Sequence, residues 1–576
     1  MHDGASPGRV PLPLPQWTER LKWSDSARDA RASIDGVAVT PTVIEDFQPL
    51  HRCLESRLAD CYWSRAGVLP FAEGEVPFLV NNSGRLSENA ALVLFANCTE
   101  TNPEDVVVIE LGAGTGLFAR YFLDSFRAIC EREQQDYYER LTYVVTDGSQ
   151  ATIDHWRERD VFAAHPGRVV MQACDAERGL PDRSGPVQAI FCNYILDVLP
   201  TAIVRRGADG AAEQLCFRTH LNDDPGLLKL YAAPSLDELR TLAQSTDTGT
   251  FAKLIPFSSL FDSELAFRTD GAAALPYIDR ALGTAPDGQH VTLNFGALHC
   301  LDRCLERIAT DGFVLLSDYG PVRDDAPADL KIAQRFGITT AVGLNFPVIE
   351  RYLASRGAHA RKAPGDDSRA LHSRLITRRD MPRTAEAFDN RFSAEAYDYF
   401  EAPLRQAREH ATAGRKEEAF ASYRDAVNRS PRDWAIVGEA AEFVSLQLRD
   451  FASAQELCRA ALELNPIYSS WLWNIMGDVL YCLERYDEAH EAYLQAERID
   501  PNDVRTNQNL AYTYLREGRF EDCLRVIARG LAADGRGIYR DRLIEKQQQV
   551  IAGIASRWTG EHDRLTKRNL RFTSAR

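Results

Sequence analysis

The chain has 576 residues, 45% of them hydrophobic and 26% charged, a length that suits three or four domains of roughly 150 residues each. A formal charge of −16 argues against nucleic acid as a partner, because phosphate binding needs a basic surface. Twelve cysteines with no CxxC pair and no zinc-type Cys/His spacing point away from a metal module and toward a reducing, cytoplasmic compartment.

The opening stretch "MHDGASPGRVPLPLPQW" has no apolar core of a signal segment, so residues 1–40 are expected to be a disordered, proline-rich leader. Nowhere does an apolar run approach the roughly 18 residues that would span a bilayer, and a soluble protein is the expectation. Residues 41–100 read as an N-terminal helical segment. "TVIEDFQPLHRCLESRLADCYW" has helical periodicity, and "NSGRLSENAALVLFANCTE" reads as a second helix with Ser87 as its N-cap.

Between residues 101 and 380 the pattern becomes alternating strands and helices. The expected strands are "VVVIEL", "TYVVTD", "RVVMQACD", "VQAIFCNYI" and "GFVLLSDYG". Alternating β and α elements predict an α/β fold, a parallel sheet covered on both faces. Residues 215–300 interrupt the order with an insertion read as mostly helical, ahead of the fifth strand. In such sheets the ligand crevice lies at the carboxyl ends of the strands, so the insertion is placed to roof it.

After the first strand comes "ELGAGTGLF". Glycines there let the backbone turn sharply and approach a ligand, while the next helix aims its N-terminus at it. The dinucleotide pattern G-x-G-x-x-G fails, since Gly112, Gly114 and Gly116 are followed by Leu117 at the third required position. Glu110 ahead of the loop would repel a pyrophosphate but suits a ligand with a cationic amino-acid end. Asp147, closing the second strand, is placed to accept from both hydroxyls of a ribose. Asp175, closing the third, is placed to accept from an adenine amino group. The three acids in order select S-adenosylmethionine as cofactor. The fourth strand ends in "NYILDVLP", where Asn193 offers an amide and Asp197 either orients an acceptor nitrogen or caps a following helix. Asp318, in "VLLSDYG", either lines the far wall or makes a strand-end turn, and His155, His299 and His372 read as structural or solvated.

These motifs resemble those of the MidA-like S-adenosylmethionine-dependent methyltransferases, a group that includes a mitochondrial arginine methyltransferase of complex I assembly. The resemblance covers roughly residues 78–378, through "VIELGAGTGLFARYFL", "YVVTDGSQATIDHW", "NYILDVLPTAIVRR" and "GITTAVGLNFPVIERYLASRG". It implies a class I methyltransferase, Rossmann-like sheet with a helical insertion. Glu110, Gly112, Gly114 and Gly116 would form the cofactor loop, with Asp147 on the ribose and Asp175 near the adenine. Where the family has an acid suited to a guanidinium, this chain has Tyr194, and "AVGLNFP" lacks a histidine that the family tends to carry.

Beyond a linker at 381–400, strand signals vanish and a repeat appears. "EEAFASYRDAVNRSP", "ASAQELCRAALELNP" and "DEAHEAYLQAERIDP" superimpose without gaps, ending at Pro431, Pro466 and Pro501, which are 35 residues apart. Alanines recur in phase at 419, 454 and 489 and at 426, 461 and 496. A fourth unit, "NLAYTYLREGRFEDCLRVIARGL", keeps the pattern without the proline. This resembles a tetratricopeptide array over residues 401–535, an all-α solenoid of paired helices with a concave face. "YRDRLIEKQQQVIAGIASRW" would cap it, and the tail within 536–576, with six basic residues against two acidic, reads as a frayed end. Together these features predict a methyltransferase whose repeats recruit a protein or peptide substrate. A non-catalytic assembly scaffold, or a small-molecule methyltransferase that self-associates into a homo-oligomer through its repeats, are the alternatives.

Overall fold

The computed structural model describes residues 42–72, 84–182, 185–222, 224–283, 289–323, 333–336, 339–534 and 537–573. The proline-rich leader expected at residues 1–40 lies outside them. The chain divides into two compact units that part between Tyr399 and Phe400.

The first unit is built on a seven-stranded sheet. Its strands are β2 (Val106–Leu111), β3 (Leu141–Asp147), β4 (Val169–Ala173), β5 (Val187–Asn193), β10 (Ile308–Tyr319), β13 (His359–Lys362) and β14 (Leu371–Thr377), in the order β13-β14-β10-β5-β2-β3-β4. The run from β10 to β4 is parallel, while β14 and β13 add antiparallel at one edge. Between β10 and β13 in the chain, β11 (Ala333–Phe336) and β12 (Thr339–Val342) form a separate antiparallel pair. All five expected strands form. Every residue of β2 and β5 is buried, which is why both read as largely apolar runs, broken by Glu110 in β2 and by Gln188 and Asn193 in β5. Their side chains join β10 and the helix Phe295–Arg307 in a core that includes Val107, Ile109, Ile190, Val314, Leu301 and Cys304.

Three local readings need correction, and the reading of the insertion needs an addition. The segment opening at Thr42 is a strand, β1 (Thr42–Pro49), and helix begins only at α1 (Leu54–Ala66). β1 pairs antiparallel with β7 (Ala212–Leu221) across two register shifts, at Val43/Glu45 and Glu45/Gln48. Those irregularities erase the two-residue alternation that would have marked a strand. The insertion is helical for its larger part, as in Pro225–Leu230, Leu236–Ala243 and Ala252–Leu260, but it also carries strands: β7, β8 (Phe261–Arg268) and β9 (His290–Leu293) form, with β1 and β6 (Ala202–Arg206), a second, antiparallel sheet. β8 is an exposed strand of helix-favouring residues, and pairing along β7 overrides that preference.

Ser87 is not an N-cap. Helix α2 (Arg85–Thr101) starts after Gly84, whose φ is +83°, and Ser87 is buried inside its first turn. The expected linker at 381–400 is helical instead, as Pro382–Phe392 followed by Ala394–Thr412. Pro382–Phe392 docks on α2: Thr384 Oγ1 donates to Glu100 at 2.8 Å, and Asn89 Nδ2 donates to the Arg391 carbonyl at 3.0 Å.

The second unit is a run of helix pairs. Lys416–Arg429, Phe451–Leu464 and Tyr486–Ile499 are the second helices of successive repeats, each ending two residues before Pro431, Pro466 or Pro501. All six phased alanines are fully buried, so the repeat period is that of close helix contact. Asp433, Asp450, Ser469 and Asp503 cap helix N-termini through their side chains. The last helix, Arg540–Thr573, spans the expected capping segment and continues into the basic tail. No described helix is long and apolar enough to cross a membrane.

Gly477 shows how little room the repeats leave: a Cβ there would sit 2.3 Å from the Tyr493 ring. Gly477→Val should therefore destabilise the second unit by about 1–3 kcal/mol through overpacking, read as a lower urea midpoint for its transition in the full chain.

Candidate functional site

The site lies where β2, β3, β5 and β10 end. Beyond β2 the backbone takes left-handed φ values of +63°, +54° and +76° at Gly112, Gly114 and Gly116, a region that L-residues with side chains enter only at a cost. The loop is pinned from three sides. Ala113 N–H donates to the Thr146 carbonyl at 2.8 Å. Gly114 N–H donates to Asp147 Oδ2 at 3.0 Å, and Trp156 Nε1 donates to the Gly114 carbonyl at 3.0 Å. The helix Leu117–Arg132 starts directly after Gly116, which supplies no side-chain cap. Such a helix start presents backbone donors to a ligand.

Glu110 is buried to 1% exposure, and its Oε2 accepts from the Tyr143 hydroxyl at 2.8 Å. Burial pushes its carboxyl up to about 8; the Tyr143 bond opposes that rise and the Asp147 charge adds to it. Asp147 uses both oxygens on backbone, taking Gly114 N–H on Oδ2 and Ser149 N–H on Oδ1 at 2.9 Å. Burial raises it to about 6 against the pull of those N–H groups and Thr152. Asp175, two residues past β4, is about half exposed; its Oδ1 accepts from Glu177 N–H at 2.9 Å and its Oδ2 pairs with Arg178 at 3.1 Å.

Helix α1, given no role by the sequence, borders this edge. Ser149 Oγ donates to the Ser64 carbonyl at 3.2 Å, and the carboxyl of Asp60 is raised to about 6 by burial, then by Glu177 and Asp175.

Asn193 is the last residue of β5 and sits in register with Ser317 of β10. Tyr194 then turns the chain at φ +53°, its N–H donating to the Ser317 carbonyl at 3.0 Å. Its ring lies 5.1 Å from that of Tyr319. Ile195 packs against the glycine loop so closely that a Cβ on Gly112 would be 2.6 Å from Ile195 Cδ1. Asp197 follows in a single helical turn, Leu196–Val198. No helix follows that turn for Asp197 to cap, because the chain passes directly into β6.

Asp318 is fully buried and makes the strand-end turn. Its Oδ1 accepts from Tyr319 N–H at 2.8 Å and its Oδ2 from Asp197 N–H at 3.3 Å. Burial raises Asp197 to about 7, while burial together with the Asp197 charge pushes Asp318 well above the carboxylate range. Asn193 is 2% exposed, and its Oδ1 and Nδ2, with Asp197 Oδ1, are buried atoms without a hydrogen-bond partner among the described residues.

The structure thus sets Glu110, at the end of β2, and Asp147, at the end of β3, beside the loop of the three glycines, with the Asn193–Asp197 turn against it. Asp175 stands one strand farther out. Two of the three histidines serve elsewhere: His299 lies 5.2 Å ring to ring from Tyr277, and His372 Nδ1 is 3.0 Å from Asp366. Burial lowers His155 to about 4. Among the described residues no cluster of three or more His, Cys, Asp or Glu side chains could hold a metal. Sequence reasoning missed Ile195 and Trp156, whose contacts with the loop come from elements distant in the chain.

Residues 90–339 match the model of a family described as "Putative S-adenosyl-L-methionine-dependent methyltransferase", and residues 477–518 match a TPR repeat model. No curated protein matches the chain. Among solved structures, one from Burkholderia thailandensis is described as a "likely methyl transferase" bound to S-adenosyl-homocysteine. It is 15% identical, with 58% of this chain and 88% of that chain covered and a TM-score of 0.39. MamA from Desulfovibrio magneticus is 14% identical, with 28% of this chain and 97% of that one covered and a TM-score of 0.23.

Gly112→Ala should cost about 1–3 kcal/mol of stability from overpacking and strained φ. Adding Ile195→Ala should return part of that loss, a coupling read by a double-mutant cycle in urea melts.

Proposed function

We propose that this chain, whose residues 90–339 are those of an S-adenosyl-L-methionine-dependent methyltransferase and whose C-terminal helices are tetratricopeptide repeats, methylates a protein or peptide that those repeats recruit. Tetratricopeptide repeats generally mediate protein interactions. The observation that carries the reading is the contact of Ile195 with Gly112, which sets a turn bearing unpartnered polar atoms beside a glycine cradle suited to a nucleoside.

The residues fit the cofactor. The left-handed loop leaves its backbone open to close approach, and the helix start would supply donors beyond Leu117, whose own N–H is taken by Thr115 Oγ1. Glu110 would hold the cationic amino-acid end, Asp147 the ribose hydroxyls and Asp175 the adenine edge. Asp147 retains acceptor capacity for this, since a carboxylate oxygen has two lone pairs and each here takes one backbone donor. Bound S-adenosylmethionine supplies a methyl group on a sulfonium that departs as a neutral thioether.

Because the leaving group is already activated, the chain's own work is alignment and exclusion of water. Asn193 and Asp197 would orient the acceptor. Asp197, raised to about 7, is matched to receiving a proton near neutral pH. The antiparallel sheet and short helices inserted between β5 and β10 would flank the acceptor's entry.

Three outcomes test this reading. Labelled S-adenosylmethionine incubated with the full chain and a cell lysate should deliver label to polypeptide, and label found only in small molecules would reject a protein acceptor. Asp147→Ala should weaken S-adenosylhomocysteine binding at least tenfold by calorimetry, about 1.4 kcal/mol. Glu110 grips an ammonium only when ionised, and its folded value is about 8. Affinity for S-adenosylhomocysteine should therefore rise from pH 6 to pH 9, and Glu110→Gln should flatten that rise.

A further inference from the structure

We infer that the Asn193–Asp197 turn, backed by Asp318, is a receptor for an alkylammonium group, so that the methyl acceptor is a primary amine on a flexible carbon chain and not a planar guanidinium. The inference deepens the methyltransferase reading and rests on it.

The argument is one of open acceptor positions. A guanidinium is recognised by a carboxylate that turns both oxygens toward its two parallel N–H bonds. Asp318 is poorly placed to do so, because it is fully buried, without exposed surface to meet a ligand, and its Oδ1 and Oδ2 are turned to Tyr319 N–H and Asp197 N–H. Position 194, which could have carried a second acid, is tyrosine. What stays open is a set of single acceptors on one short turn: Asp197 Oδ1 and Asn193 Oδ1, both buried and unpartnered. An –NH3⁺ group, a compact charge with three rotatable donors, satisfies acceptors arranged in this way.

A buried amide with neither atom bonded is costly to maintain in a strand that is otherwise fully packed. An occupant that donates N–H bonds removes that cost. Asp318 acts here as a positioning residue, since it holds the turn through the Asp197 backbone and touches no acceptor in this scheme.

The chemistry balances without a further reagent. The ammonium gives one proton to the Asp197 carboxylate, which passes it to solvent. The freed nitrogen lone pair forms the N–C bond as the C–S bond breaks, with its electron pair going to sulfur. The products are a secondary ammonium and the neutral thioether nucleoside. Asp197, raised to about 7, is a base suited to the first step near neutral pH.

The test is a calorimetric titration of the full chain, saturated with S-adenosylhomocysteine at pH 8, with n-butylammonium, n-butylguanidinium and n-butanol. Butylammonium should bind saturably, at least tenfold tighter than butylguanidinium, with no heat from butanol. Asp197→Asn should weaken it at least tenfold while nucleoside affinity is kept. Should that variant fail to fold, Asn193→Ala is read in its place. Butylguanidinium binding as well as butylammonium, or no saturable heat from butylammonium, overturns the inference while leaving the cofactor reading intact. Absence of S-adenosylhomocysteine binding in the unaltered chain overturns both.

Discussion

No side chain fits between Gly112 and Ile195. That close approach is the constraint on which the rest of the site depends, because it joins the loop after β2 to the turn after β5 at van der Waals distance. β2 and β5 are neighbours in the sheet, hydrogen-bonded from Val108–Ala189 to Leu111–Cys192. The two turns therefore leave the same edge side by side. Moving one without the other would open a void in a close-packed interior, so the cradle and the acceptor turn behave as one rigid piece.

Around that piece the fold concentrates carboxyl groups and removes them from water. Glu110, Asp147 and Asp318 lie at strand ends and Asp197 in the turn beyond one, and burial raises each of them. An acid whose folded pKa is raised contributes stability at acid pH and loses it as pH climbs from its unfolded value through its folded one. For Glu110 that window runs from about 4.5 to about 8, and for Asp147 from 3.8 to about 6. Near neutral pH the site is thus held against its own electrostatic preference, at roughly 1.4 kcal/mol for every tenfold change in a buried acid's ionisation constant. Ligand groups that carry positive charge or donate hydrogen bonds relieve the penalty, which ties the strain to binding.

The second unit is organised by size instead of charge. Its alanines and Gly477 permit helices to approach, and its charged groups largely satisfy one another. Arg505 bridges Glu442 at 2.9 Å and Asp478 at 2.7 Å, and Asp478 also accepts from Tyr493 and Asn509. A network saturated in this way rigidifies the repeats.

Local sequence determined what repeats or runs unbroken. β2 and β5 were legible because burial on both faces makes most of their residues apolar, and the helix pairs because three copies share one phase of alanine and proline. The glycine loop was legible because left-handed backbone demands glycine. The tertiary structure decided everything that depends on a partner distant in the chain. β1 and β8 are strands because β7 lies alongside, whatever their own residues prefer. The segment after Arg378 is helix because α2 offers it a dock. Asp197 faces Asp318 only because β5 and β10, more than a hundred residues apart in the chain, are parallel neighbours in the sheet. Sequence alone named both acids; the shared edge and the burial that shifts their protons belong to the fold.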